Sequence, residues 1–212
     1  MARGFFISVE GADGSGKSTQ VRLLADHLRA AGHDLIVTRE PGGGGEGAAA
    51  IRDLLLNGPV ERWSALSEAL MMYAARAEHL EKLIRPGLAA GKTVLTDRFA
   101  DSTMAYQGIA GGVGQARVKL LHDAVVAGDD PDLTLILDVS ADIGLQRATS
   151  RRGGESRFEE KGAAYQERVR AGFLAIARAN PERCRLIDTS GDIDSVHRAI
   201  ARAVDDALQS RR

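Results

Sequence analysis

Cysteine is almost missing from this sequence: Cys184 is the only one in 212 residues. A lone cysteine excludes an intramolecular disulfide framework and any cysteine-rich metal site. Its place just before an apolar stretch points to a buried, inert thiol rather than a nucleophile. A charge excess is lacking too. The 28 basic and 29 acidic residues leave a formal net charge of -1, which argues against a chain that works by coating nucleic acid. The basic residues can still gather around a polyphosphate. No apolar run approaches the ~20 residues needed to span a bilayer. The opening MARGFFISVEG has no long apolar signal core, because Glu10 and a glycine loop interrupt it. A cytoplasmic protein is expected. Without an internal repeat or a long linker, 212 residues suit one domain with one substantial core.

What is present alternates. Apolar runs at 5–9, 35–38, 93–96 and 133–139, with a shorter one at 185–187, read as strands. Between them lie helical patterns at 17–31, 46–56, 64–90, 116–126, 141–149 and 163–179, with another at 193–208. The first places Val21, Leu24, Leu28 and Ala31 on one face and stops at Gly32. The long pattern over 64–90 is expected to bend or break near Pro86. REPGGGGEG cannot be regular structure with so many glycines. Strands separated by helices predict an α/β fold, with a parallel five-stranded sheet covered by helices on both faces.

The sharpest motif follows the first strand. Gly11-Ala12-Asp13-Gly14-Ser15-Gly16-Lys17-Ser18 satisfies GxxxxGK[ST] and sits between a predicted strand and helix, as that phosphate loop requires. Glycines let successive amides turn inward toward phosphate oxygens. Lys17 adds a point charge toward the outer phosphates, the Ser18 hydroxyl can ligate magnesium, and the helix that continues through Thr19 offers its positive end. Binding of a nucleoside triphosphate follows. Asp13 is less ordinary in an anion cradle. It either orients an acceptor hydroxyl or is a turn residue bonding its own backbone.

Thr38-Arg39-Glu40-Pro41 and Asp97-Arg98-Phe99 leave the second and third strands at the sheet edge that carries the loop, where ligands collect. Asp97 can hold magnesium, and Arg98 can fork onto a phosphate. Met72 and Arg76 lie four apart on one helical face. They form either a pocket wall with a forked donor, or a core methionine beside a surface arginine. Asp101-Ser102-Thr103-Met104-Ala105-Tyr106-Gln107-Gly108 supplies hydroxyls, an amide and a ring able to read a base and close on a sugar. Arg147, Arg151, Arg152 and Arg157 cluster around Gly153-Gly154 as a solvated surface or as a lid, at about 148–160. Phosphoryl transfer favours the lid, because charge spreads over the oxygens as the group moves.

Taken in order, FISVEGADGSGKST, TREPGG, LMMYAAR, DRFADSTMAYQG, LILDVSADIGLQR and LIDTSGD resemble the thymidylate kinases over nearly the whole chain. These are P-loop enzymes that phosphorylate dTMP to dTDP with ATP. The resemblance implies the P-loop NTPase three-layer fold, ATP and magnesium, and a homodimer. It implies that Asp13 meets the acceptor's sugar and phosphate region, and that Arg39, Arg52 and Arg98 surround the monophosphate. Arg76 and Gln107 match the thymine-edge contacts, with Ser102 nearby, and Tyr106 matches the ring beneath the deoxyribose. Arg147 and the segment around Thr189, Ser190 and Gly191 match the adenine surroundings. The loop carries no arginine whereas Arg151 and Arg152 follow in the lid, which resembles the bacterial lid-arginine arrangement, with Arg151 the first choice. Two departures stand out. Met72 occupies the position of a phenylalanine that stacks on thymine, and GGGGEG replaces the usual form of its loop. The competing expectations are a kinase for another small acceptor, a GTP-dependent switch (which lacks its NKxD-type signature here) and a purely structural nucleotide-binding module.

Overall fold

The computed structural model describes residues 3–149, Phe158 and residues 161–210. Five parallel strands form its sheet: β1 (Phe6–Glu10), β2 (Leu35–Arg39), β3 (Thr93–Asp97), β4 (Leu133–Asp138) and β5 (Cys184–Asp188), in the order β2-β3-β1-β4-β5. Parallel neighbours need crossover connections, which here are helical. They are α1 (Lys17–Ala30), α2 (Glu46–Leu56), α3 (Ala65–His79), α4 (Arg85–Ala89), α5 (Ala100–Thr103), α6 (Gln115–Val125), α7 (Ala141–Thr149), α8 (Ala163–Ala179) and α9 (Ile193–Ser210). The α/β architecture expected from the alternation is therefore present, with all five strands.

β1 is central, with Ser8 opposite Thr96 on one side and Thr134 on the other. Every one of its residues is buried, which is why FISVE reads as a continuous run rather than an alternating one. Ile7 and Val9 face Leu24 and Leu28 of α1 and Ile200 of α9. Phe6 turns to the opposite layer, beside Tyr73, Leu80 and Phe99. A further apolar group on that side gathers Tyr106, Tyr165, Phe173 and Phe158 around Ile136. Tyr106 and Phe158 of this group line a pocket beside the sheet.

Two segments differ from expectation. Residues 100–110, given no regular structure from sequence, form α5 and then a wide π-helical turn over Met104–Ala110. The Gly111 amide reaches the Tyr106 carbonyl, five residues back, at 2.8 Å. Asp, Ser, Thr and Gly in this stretch are poor helix formers. Tertiary contact overrides them: α8 packs along the turn, and the Tyr165 hydroxyl donates to the Tyr106 carbonyl at 2.8 Å. The second difference lies before Pro86. The helix does not break there but widens into a π turn over Leu80–Ile84 and continues as α4. Proline lacks the N–H that would bond the fourth residue back, and its ring would meet that carbonyl, so the widened turn accommodates it.

Candidate active site

The strand–loop–helix unit at residues 6–30 builds the anion cradle. Gly11, Gly14 and Gly16 all have positive φ, a backbone region closed to most side chains. Gly14 also has no room for one, since a Cβ there would lie 1.9 Å from the Gly144 carbonyl oxygen of α7. Lys17 starts α1 and folds back over the loop. Its Nζ donates to the Gly11 carbonyl at 3.0 Å and the Ala12 carbonyl at 2.8 Å. Burial, and then the Arg98 charge, push the lysine down to about 8. The ammonium is thus under-solvated and well placed to gain from an incoming phosphate.

At the open rim of this loop the Ser18 hydroxyl donates to Asp97 Oδ2 at 3.1 Å. This joins the start of α1 to the end of β3. One hydroxyl and one carboxylate are hard oxygen donors, the kind of small protein set that suits magnesium carried with a nucleotide's phosphates. Among the described residues no group of three or more His, Cys, Asp or Glu could cage an ion. Arg22 and Arg39 line the same cleft as Ser18 and Asp97.

Arg98 joins the cradle to the pocket behind it. Its φ of 70° is strained for a residue with a side chain, by ~1–3 kcal/mol. The conformation is held because the Arg98 amide donates to the Val9 carbonyl and the Thr96 hydroxyl donates to the Arg98 carbonyl, both at 2.9 Å. So turned, the guanidinium meets Asp13 Oδ1 at 2.6 Å, the Gly11 carbonyl at 3.0 Å, Ser102 Oγ at 3.1 Å and the Tyr106 hydroxyl at 3.2 Å. Burial pushes the Asp13 carboxyl up. The Arg98 and Lys17 charges and hydrogen bonds from Tyr106 and Gln166 outweigh it and hold the group below the usual carboxylate range. Asp13 is therefore no mere turn residue but a charged group facing the second pocket.

That pocket is lined by Asp13, Leu56, Met72, Arg76, Tyr106 and Gln107, among others. Arg76 is 1% exposed, which rejects the surface-arginine alternative. Its Nε donates to Glu40 Oε2 at 2.8 Å and its Nη2 to Thr103 Oγ1 at 3.1 Å, while Nη1 is buried without a partner. A buried donor left open in a cavity wall is a site for an acceptor such as a base carbonyl. Glu40 also holds the ring of His79, at 3.0 Å from Nδ1, and His79 Nε2 lies 2.8 Å from the Thr38 hydroxyl. The glycine run follows from this packing. A Cβ on Gly44, whose φ is 96°, would lie 2.5 Å from His79 Cα.

The remaining expected residues are more dispersed. Arg52 donates to the Pro41 carbonyl at 2.7 Å and so braces the TREPGG turn. Arg147 donates to the Thr189 carbonyl at 3.1 Å, bringing together α7 and the segment after β5. Arg151 and Arg152 lie outside the described residues, as does the rest of the expected lid apart from Phe158 and the end of α7.

Sequence reasoning passed over Glu10, Glu40, Glu68, His79, Lys161 and Gln166. Glu10 ends β1, fully buried, and accepts from the Phe99 amide at 2.7 Å and from the Ser102 hydroxyl. Its strand-end position is the very signal that singled out Asp97. Gln166 donates from Nε2 to Asp13 Oδ2 and to the Phe158 carbonyl, both at 3.1 Å. Glu68 precedes Met72 and Arg76 by four and eight residues, so extending the helical row by one turn would have found it.

A phosphate loop at the carboxyl edge of a parallel sheet, next to a buried pocket that holds an unpaired guanidinium donor and a carboxylate, defines a P-loop nucleotide-binding protein with a second pocket beside the loop. The family of thymidylate kinases matches residues 9–200 of the chain. The chain is 58% identical over 204 residues to the thymidylate kinase of Caulobacter vibrioides, covering 96% of this chain and 97% of that one. It is 54% identical over 193 residues to the thymidylate kinase of Ruegeria pomeroyi, covering 91% and 90%. The crystal structure of thymidylate kinase from Ehrlichia chaffeensis is similar with a TM-score of 0.78 at 34% identity, covering 95% of this chain and 99% of that one. The chain belongs to the thymidylate kinase family.

Proposed function

We propose that the protein transfers the γ-phosphoryl group of ATP to the phosphate of dTMP, giving dTDP and ADP in one in-line step. The observation that carries this reading is the Arg98 guanidinium, which touches both the phosphate loop and the acceptor pocket. The acceptor oxygen already carries charge, so no strong general base is needed. The work is to hold two mutually repelling phosphate groups close and aligned. Lys17 serves the ATP phosphates. Arg98 serves the acceptor phosphate, exchanging its Asp13 contact for it and leaving that carboxylate to the sugar region. Arg76 Nη1 donates to a base carbonyl, Met72 and Leu56 provide the apolar wall, and Tyr106 lies along the sugar. Ser18 and Asp97 would hold magnesium, which would supply charge neutralisation to the phosphates. Arg151 or Arg152 supplies further positive charge to the moving group, since the loop has no arginine of its own.

One kinase domain over 1–212, with a lid at about 148–160, is the organisation that goes with this chemistry. No described helix is long and apolar enough to cross a membrane, in keeping with a cytoplasmic enzyme. Leu54, Leu66, Leu70 and Leu120 stand exposed on α2, α3 and α6, which pack side by side. They support a homodimer through that layer. The test is an ADP-release assay with ATP and magnesium, comparing dTMP, dUMP, UMP, CMP, GMP and thymidine with a no-acceptor control. A large preference for dTMP is expected. Activity on another acceptor alone would keep the kinase chemistry and overturn the substrate.

A further inference from the structure

Behind Gln107, as seen from the pocket, sits a second buried charge pair. Glu68, on the first turn of α3, is 0% exposed. Gln107 Nε2 donates to its Oε2 at 3.1 Å, and Lys161 Nζ donates to Oε1 at 3.1 Å and Oε2 at 3.2 Å. Lys161 is held in turn over the rings of Phe158, at 4.9 Å, and Tyr165, at 5.0 Å. Gln107 lines the pocket and Glu68 does not.

A carboxylate paired with an ammonium only accepts hydrogen bonds, and the positive end of α3 favours its charge. The amide of Gln107 has one donor end and one acceptor end, and Glu68 can be served only by the donor. The rotamer with its carbonyl toward Glu68 would set two acceptors against each other in a site closed to water. We propose that Glu68, with its charge balanced by Lys161, is a positioning residue: it turns the Gln107 carboxamide so that the carbonyl is offered to the base. This rests on the pyrimidine-nucleotide reading above and deepens it. A carbonyl in the pocket accepts from the N3–H of thymine or uracil and repels the bare N3 acceptor of cytosine. Glu68 therefore sets a selection against cytosine without touching the substrate, and leaves thymine and uracil unseparated.

E68Q tests this, because an amide at that position can face Gln107 with either end. Steady-state kinetics with dTMP, dUMP and dCMP, alongside thermal melts, give the readout. The kcat/KM ratio of dTMP to dCMP is expected to fall by about tenfold or more, chiefly through KM. The dTMP to dUMP ratio should stay where it was. K161M should move the same way and K161R should restore the wild-type ratio. If E68Q does not fold, the lysine variants decide. A folded E68Q, or failing that K161M, with an unchanged dTMP to dCMP ratio overturns the proposal. So does an equal loss on all three pyrimidines, which marks a purely structural pair. A wild-type enzyme that prefers dCMP defeats both this inference and the substrate reading. A wild-type preference for dTMP over dCMP that E68Q leaves unchanged in size defeats the inference alone.

Discussion

The two ends of the cleft recognise their ligands by different physics. The phosphate end is made of backbone: three glycines at positive φ, the start of α1, and a lysine bonded to the loop's own carbonyls. Its residues lie within eight positions of one another, and the charge it expects is generic. The acceptor end is made of side chains brought from the phosphate loop, the segments that follow β2 and β3, α3, the π turn and the residues just before α8. There Arg76 with Glu40, Lys161 with Glu68 and Arg98 with Asp13 offset one another in three pairs, and the His79 ring sits against Glu40. Phosphates are read by chain geometry. A base has direction and polarity around its edge, and must be read by groups whose own orientation is fixed. Fixing it inside a protein takes a second layer of charge.

If that division is right, removing the charge at the phosphate end should damage turnover. Lys17→Met keeps much of the side chain's bulk and removes the ammonium. The expected result is a fall in kcat of about 10²–10³-fold, with KM for dTMP little changed. A kcat within a few-fold of wild type would mean that the backbone cradle alone carries the transferring phosphate. At the other end, Arg76→Ala should chiefly damage use of the monophosphate, but it also strands the buried Glu40, at ~3–5 kcal/mol of stability. Arg76→Lys is the cleaner variant. It keeps a cation for Glu40 but cannot also reach Thr103 and the pocket. A rise in KM for dTMP of about tenfold is expected, with kcat nearly kept. Unchanged kinetics toward dTMP would remove Arg76 from the pocket's working groups.

The same contrast explains what could be read in the sequence. The sheet and the phosphate loop were legible because each is local: a run of apolar residues, then a motif of fixed spacing. Asp97 and Arg98 were legible from their place at a strand end. Arg76 remained ambiguous, since helical periodicity says which face a residue is on but not whether that face is covered. Glu40 and His79 meet across 39 positions, and Glu68 and Lys161 across 93. No local pattern links such residues. The π turn was hidden for a related reason, because its stability comes from α8 rather than from its own composition. Resemblance supplied the pocket's rim, through whole motifs, but not the carboxylates behind it.

The smallest expected effect falls on the boundary between the two regions, at Glu10. Burial, and then the Asp101 charge, push this carboxyl from 4.5 up to about 8. The folded protein therefore keeps a proton on Glu10 that the unfolded chain releases near its ordinary value. The stability this proton confers is complete below about 4.5 and is lost as pH rises toward about 8. E10Q fixes the neutral form. Its amide oxygen can still accept from the Phe99 amide, and its NH2 can donate to Ser102, whose hydroxyl is free to reverse. Thermal melts of E10Q and wild type should nearly coincide at pH 5. Between pH 5 and pH 8 wild type should lose stability relative to E10Q, opening a gap of several degrees. A gap that stays constant across that range would mean that Glu10 carries its charge in the folded state, as Asp13 does. The contact from Ser102 and the Phe99 amide would then belong to the same layer of paired charge that sets the base pocket.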